Sequence, residues 1–200
     1  WFGQLCREHG YEAVLVAHHA GDNAERFFLN LLRGSGVKGL CGMQEEGFLP
    51  DPDYADIPLR RPLLHTTRAE INALVAEWGL PYREDKTNAE NTVKRNKLRN
   101  QVFPLLREIN PSFEETLLAD MDRLRLVERI ADGFFREHVG LVWDGRRVDT
   151  TLLQTIPGWE YILYRILEGE GMAPALIAQA TDIVRSGLSG RRAGGVVCAS

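Results

Sequence analysis

Apolar positions along this chain change period from segment to segment, and each change predicts an element. Residues 1–9 carry a helical pattern, and Gly10 follows as a stop. Val14-Leu15-Val16-Ala17 is a short apolar run, which predicts a strand buried on both faces. It passes directly into a helix: Ala24, Phe27, Phe28, Leu31 and Leu32 fall at i, i+3, i+4, i+7 and i+8. Asp22 and Glu25 have capping-box spacing, which predicts a helix start at Asp22. Gly34 and Gly36 can end that helix. Residues 34–60 are rich in Gly, Pro and Asp and read as a loop. Thr67 with Glu70 predicts a second cap, ahead of the apolar stripe Ile71, Leu74, Val75 and Trp78, and Gly79 closes that helix.

Asp85-Lys86-Thr87-Asn88 reads as a polar turn before a basic helix. Leu98, Val102, Leu105, Leu106 and Ile109 mark its buried side, and Pro104 predicts a kink. Asn110-Pro111-Ser112 is the best domain boundary, with Ser112 and Glu115 spaced as another capping box. A long helix follows, then a turn at Trp143-Asp144-Gly145-Arg146 and helices over 158–168 and 174–187. The expected fold class is α/β. Residues 1–110 would be part of a doubly wound parallel-sheet nucleotide-binding domain, and 111–200 a mostly helical accessory domain.

Composition narrows the class. The apolar fraction of 44% is ordinary for a globular chain, and the net charge of −4 argues against a small histone-like binder. Cys6, Cys41 and Cys198 form no CxxC pair, so neither a disulfide framework nor a cysteine zinc site is indicated. A reducing cytoplasm is the simplest compartment. No apolar run approaches the roughly 20 residues of a membrane span. The chain opens on Trp1 without an initiator Met and ends in an apolar run cut short, so it reads as a piece of a longer one.

Candidate chemistry gathers where the strand meets the helix. In open α/β sheets ligands bind beyond the carboxyl ends of strands, so His18, Asp22 and Glu25 would face that crevice. Asp22 suits a metal or a reacting centre, and equally a plain helix cap. His18 suits orienting a substrate or moving a proton, while His19 would turn into the fold. Arg33 with Gly34-Ser35-Gly36 suits a loop approaching phosphate, or an ordinary glycine cap. From Lys86 to Arg107 six basic residues stand against the single acid Glu90. Among them Lys94, Arg95 and Arg99 suit nucleotide or RNA phosphates, and Arg95 and Arg99 repel across one turn unless an anion lies between them. Asp85 and Asn88 would build the turn and brace those arginines.

Four ordered blocks resemble the tRNA(Ile)-lysidine synthase family. They are His18-His19-Ala20-Gly21-Asp22-Asn23-Ala24-Glu25 with Leu31-Leu32-Arg33-Gly34-Ser35-Gly36; Arg61-Pro62-Leu63-Leu64 with Arg68-Ala69-Glu70-Ile71; Glu84-Asp85-Lys86-Thr87-Asn88 with Arg95-Asn96-Lys97-Leu98-Arg99; and Pro104-Leu105-Leu106 with Asn110-Pro111. The family is similar to the wider group of ATP pyrophosphatases with an SGGxDS phosphate loop, which this sequence lacks, so the chain alone is expected to be inactive. Gly21 stands where the family has the first of two adjacent aspartates, and Arg26 and Lys86-Thr87 also depart from its pattern.

The resemblance implies ATP as a substrate with Mg²⁺. ATP adenylates the wobble cytidine of an isoleucine tRNA with a CAU anticodon, and free L-lysine then displaces AMP to make lysidine. It casts His18, Asp22 and Glu25 as catalytic, with Asp22 also the Mg²⁺ ligand. Arg33, Gly34, Gly36, Lys94, Arg95 and Arg99 would bind ATP or tRNA. Arg146, Arg147, Arg191 and Arg192 would meet RNA backbone. No membrane is implied, and a homodimer is left open. The alternatives are another ATP-dependent tRNA-modifying enzyme of the same group and a non-catalytic tRNA-binding module.

Overall fold

The computed structural model describes residues 1–82, 94–187 and two short strands, 192–193 and 196–197. These residues form two compact units, Trp1–Glu128 and Arg129–Ser200. No helix among them is long and apolar enough to cross a membrane.

The first unit opens with α1 (Phe2–His9), which Gly10 ends in a left-handed conformation, and β1 (Val14–Leu15). Then come α2 (Ala20–Arg33), α3 (Val37–Leu40), β2 (Glu46–Phe48) and β3 (Pro58–Arg60). The three strands make one mixed sheet in the order β1-β3-β2. β1 runs parallel to β3, with Val14 opposite Leu59 and Leu15 opposite Arg60, while β2 is antiparallel to β3. The α/β character holds, but the described residues do not form a doubly wound sheet.

Two expectations change here. The stretch 34–60 is not a continuous loop. Its strands are three residues each and lie among Pro, Asp and Gly, too short to leave a period-2 signal. Nor is β1 covered on both faces: Val14 is buried against Cys6, Leu49 and Ile57, whereas Leu15 is 67% exposed.

α4 (Arg68–Trp78) begins at the expected box, with Thr67 N–H donating to Glu70 Oε2 at 2.7 Å and Glu70 N–H donating to Thr67 Oγ1 at 3.2 Å. None of its residues is buried, so its apolar stripe has no core to cover among the described residues. The basic segment is described from Lys94 onward: α5 (Lys94–Lys97), a π-helical turn (Leu98–Val102) and α6 (Phe103–Ile109). Phe103 N–H reaches back to the Leu98 carbonyl, five residues away. That extra residue rotates the helix, so Leu98 and Phe103 are buried while Leu105 and Ile109 are exposed. Phe103 packs between Phe28 and Phe113, with ring centroids 5.7 Å and 5.3 Å away. α7 (Phe113–Val142) follows an Asn110 turn, in which the side-chain oxygen accepts the Ser112 N–H.

In the second unit, α8 (Thr150–Leu153), α9 (Trp159–Gly169) and α10 (Pro174–Arg185) bury Leu153, Ile162, Ile166, Ile177 and Val184 with Val142 of α7. The expected turn after Trp143 is present: Asp144 Oδ1 accepts both the Arg146 and Arg147 N–H groups, and Trp143 bridges Val148. A hairpin of β4 (Arg192–Ala193) and β5 (Val196–Val197) completes the unit.

Candidate functional site

Parallel pairing of β1 with β3 sets the geometry of the site. The two strands end side by side, and the pairing continues past them: Val16 N–H donates to the Arg60 carbonyl and Ala20 N–H to the Thr66 carbonyl, each at 3.0 Å. His18, just after β1, therefore meets Arg61, just after β3. Arg61 Nε donates to His18 Nδ1 at 3.3 Å, and Arg61 NH1 donates to the Gln44 carbonyl at 2.7 Å.

α2 starts at Ala20 with His19 as its cap, not at Asp22. His19 Nδ1 accepts the Gly21 N–H at 3.0 Å, and Asp22 Oδ2 accepts the His19 N–H at 3.0 Å. Burial pushes the His19 pKa down, against the pull of Asp22, and so favours the neutral ring whose Nδ1 accepts. The ring lies back over the helix start. A β-carbon on residue 21 would come 2.8 Å from its Cε1, so this cap requires Gly21.

The cap therefore lies three residues ahead of the expected one, and Glu25 is not a capping partner. It is 1% exposed, among the most buried side chains in the chain. Its partners come from the segment after residue 93. Arg99 Nε donates to Glu25 Oε1 at 2.7 Å, and Arg99 NH2 reaches Asp22 Oδ1 at 3.2 Å. Arg95 Nε lies 3.0 Å from Glu25 Oε2, off the line of a good hydrogen bond. Glu25 is thus the anion that lets Arg95 and Arg99 share a helix face. Burial raises the Glu25 pKa, and the Arg99 guanidinium pulls the other way.

Around this cluster stands a buried amide. Asn23 Oδ1 accepts the Met43 N–H at 2.7 Å. That bond needs a left-handed turn at Gly42 (φ 70°), where a β-carbon would strike Asn23 Oδ1 at 2.5 Å. Asn23, Glu25 and Asn30 are polar yet buried, which a hydrophobic pattern cannot reveal.

Other expected residues stand apart. Arg33 NH2 donates to Asn30 Oδ1 at 2.6 Å, Gly34 closes α2, and Gly36 precedes α3 as its cap. Lys94 is exposed on α5. Arg146 and Arg147 are exposed at the turn of the second unit. Asp85, Asn88 and Arg191 lie outside the described residues, as does the side chain of Arg192. Pattern reading singled out Arg61 only as part of a motif. Its position after a strand that pairs in parallel with β1 was the missing signal.

A magnesium ion needs about six oxygens in near-octahedral array. Asp22 Oδ1 faces Arg99 and Oδ2 holds the His19 N–H. No group of three His, Cys, Asp or Glu side chains among the described residues is arranged to hold a metal. These residues alone do not fit the ion.

A parallel β-strand thus feeds a capped helix, and a part-buried acid–arginine cluster stands beside it. The family model for the PP-loop domain matches residues 1–106, and the chain belongs to that family of nucleotide-binding, ATP-using α/β domains. It is similar to the tRNA(Ile)-lysidine synthase of Porphyromonas gingivalis, at 45% identity over 124 residues, 62% of this chain and 26% of that protein. Against the enzyme of the same name from Bacteroides thetaiotaomicron it is 32% identical over 188 residues, 93% of this chain and 41% of the relative. For that of Chlorobaculum tepidum the figures are 30% over 183 residues, 86% and 52%. The chain thus spans between about a quarter and a half of the length of these relatives.

Proposed function

We propose that the protein carrying this chain uses ATP to join free lysine to the wobble cytidine of an isoleucine tRNA, making lysidine. In the first step the cytosine O2 attacks the α-phosphorus of ATP, and pyrophosphate leaves. In the second the lysine ε-amine, having lost its proton, attacks ring carbon 2, and AMP leaves with the O2 oxygen. The amine enters as an ammonium, so a nearby base must take a proton.

The observation that carries this reading is the binding of both carboxylates, Asp22 and Glu25, by Arg99. The geometry gives them different tasks. Asp22 keeps 19% of its side chain exposed and is the carboxylate with reach toward a substrate ammonium. Glu25 sits behind it and anchors Arg99, which in turn orients Asp22. Lys94 and the exposed half of Arg95 suit phosphates of ATP or tRNA. Residues beyond the first unit would select the tRNA, with Arg146 and Arg147 at its backbone. The cytoplasm is the compartment this reading assigns, in keeping with the buried free thiols of Cys6 and Cys41.

Asp22→Ala tests the proposal in the protein that carries this chain. Lysidine formation should be lost while tRNA binding stays nearly intact. Wild-type turnover in that variant would reject the assignment.

A further inference from the structure

We propose that Arg61 is a positioning residue: it fixes the tautomer of His18 so that the imidazole presents Nε2–H to the reacting centre as a hydrogen-bond donor. The proposal rests on the catalytic role that the family resemblance implies for His18. It settles which of two tasks, donating a hydrogen bond or taking a proton, His18 is built for.

The argument is one of donor and acceptor inventory. A guanidinium carries five N–H donors and no acceptor, and it stays charged in proteins. Whatever ring nitrogen it contacts must therefore offer a lone pair. The contact is at Nδ1, 3.3 Å from Arg61 Nε. His18 in this arrangement is neutral, and its single ring proton sits on Nε2, on the side of the ring away from Arg61. Moving that proton to Nδ1 would set an N–H against a cation, as would protonating the ring at both nitrogens.

Arg61 itself is held from three directions. Its N–H donates to the Glu45 carbonyl at 2.8 Å, and its NH1 donates to the Gln44 carbonyl at 2.7 Å. The preceding residue, Arg60, is paired with Leu15 in the sheet. The guanidinium is thus fixed by the same ladder that fixes the start of the His18 loop. A ring locked in this way has no lone pair at Nε2, so it is unsuited to taking the proton of the lysine ammonium. It is suited to donating to an acceptor oxygen that carries negative charge, a phosphoryl oxygen or the O2 of the activated cytosine. Arg26 supports the same polarity: it adds positive potential at Arg61 and so favours an anionic group nearby. Proton removal then falls to the carboxylates.

Long-range ¹H–¹⁵N correlation of the imidazole nitrogens tests the tautomer, with His18→Gln used to assign the signals. In the wild-type protein Nδ1 should show a lone-pair shift and Nε2 a protonated one. Arg61→Met should move both toward the average of the two tautomers. It should also lower kcat for lysidine formation by roughly 10- to 100-fold, the range seen when a group orienting a metal-bound histidine is removed, with KM for ATP and lysine unchanged. Arg61→Lys, which keeps a cationic donor, should restore part of kcat and the wild-type tautomer. A wild-type ring protonated on Nδ1 overturns the proposal, whether or not Arg61→Met folds. So does an Arg61→Met protein whose tautomer or kcat does not move. Wild-type turnover in His18→Gln would instead remove the catalytic reading of His18, leaving the tautomer result standing.

Discussion

Glu25 allows a sharp test, because burial and pairing pull it in opposite directions. It is 1% exposed, and its pKa is raised by burial in spite of two arginines. The folded chain therefore holds the neutral form of Glu25 better than the unfolded chain does. An acid with a raised folded pKa favours folding most below its unfolded pKa of about 4.5. Its contribution falls as pH rises from there through the folded value. Glu25→Gln removes this loss and keeps the shape and one acceptor, so at pH 8 its stability should lie within about 1 kcal/mol of wild type or above it. Arg99→Met is the opposite case. It strands a buried carboxylate, and breaking such a pair from one side costs about 3–5 kcal/mol. Arg99 keeps 35% of its side chain in water, which places the loss near the lower end, about 3 kcal/mol. That loss should shrink as pH falls through the raised folded pKa of Glu25, where the carboxylate takes up a proton. Urea unfolding followed by circular dichroism at pH 5 and pH 8 measures both. A Glu25→Gln loss above about 2 kcal/mol at pH 8, or an Arg99→Met loss independent of pH, refutes the reasoning. Because the charge on Glu25 does not serve stability, Glu25→Gln should lower lysidine formation even where it leaves folding intact.

Three further substitutions probe how the site is held. Gly21→Ala should push the His19 ring off its cap and lower stability by about 1 kcal/mol, read as a lower urea midpoint; an unchanged midpoint would show that the cap contributes nothing. Phe103→Ala should cost about 3–5 kcal/mol, while Ile109→Ala, at a position 82% exposed, should stay within about 0.5 kcal/mol. Equal losses in a thermal or urea series would contradict the π-turn register.

Local signals were legible where they rest on neighbours in sequence. The box at Thr67 and Glu70, the stops at Gly10, Gly34 and Gly79, and the turn at Asp144 all depend on residues within a few positions of one another. The true helix start is hidden in the sequence for a related reason. A histidine is a rare cap and an aspartate a common one, but here the cap is His19 and Asp22 is its partner three residues on. Long-range pairing was not legible. Nothing near Glu25 in sequence points to Arg99, 74 positions on, and a three-residue strand at Pro58–Arg60 leaves no periodic trace. Chemical identity was easier to read than geometry. The residue types at 18, 22, 25, 95 and 99 mark charged chemistry, but only the fold reveals that the two arginines take Glu25 as their anion.

The π turn reconciles two demands on one short helix. Arg95 and Arg99, four apart, must both reach Glu25, which aligns them along one face of an α-helix. The core beneath asks for a large ring between Phe28 and Phe113. In an unbroken α-helix the buried side begun by Leu98 would continue through Val102, Leu105 and Ile109, which bear branched aliphatics. The extra residue in the turn that also carries Arg99 brings Phe103 into the core, with Val102 and Leu106 partly buried against it and Leu105 and Ile109 left exposed. Pro104 makes that solution cheap, because it has no N–H to lose and its ring disfavours a regular helix across this point. A helix straightened by replacing Pro104 would have to give up either the aromatic contact or the arginine clamp. The irregularity therefore couples the packing of the first unit to the charge arrangement on which the proposed chemistry depends.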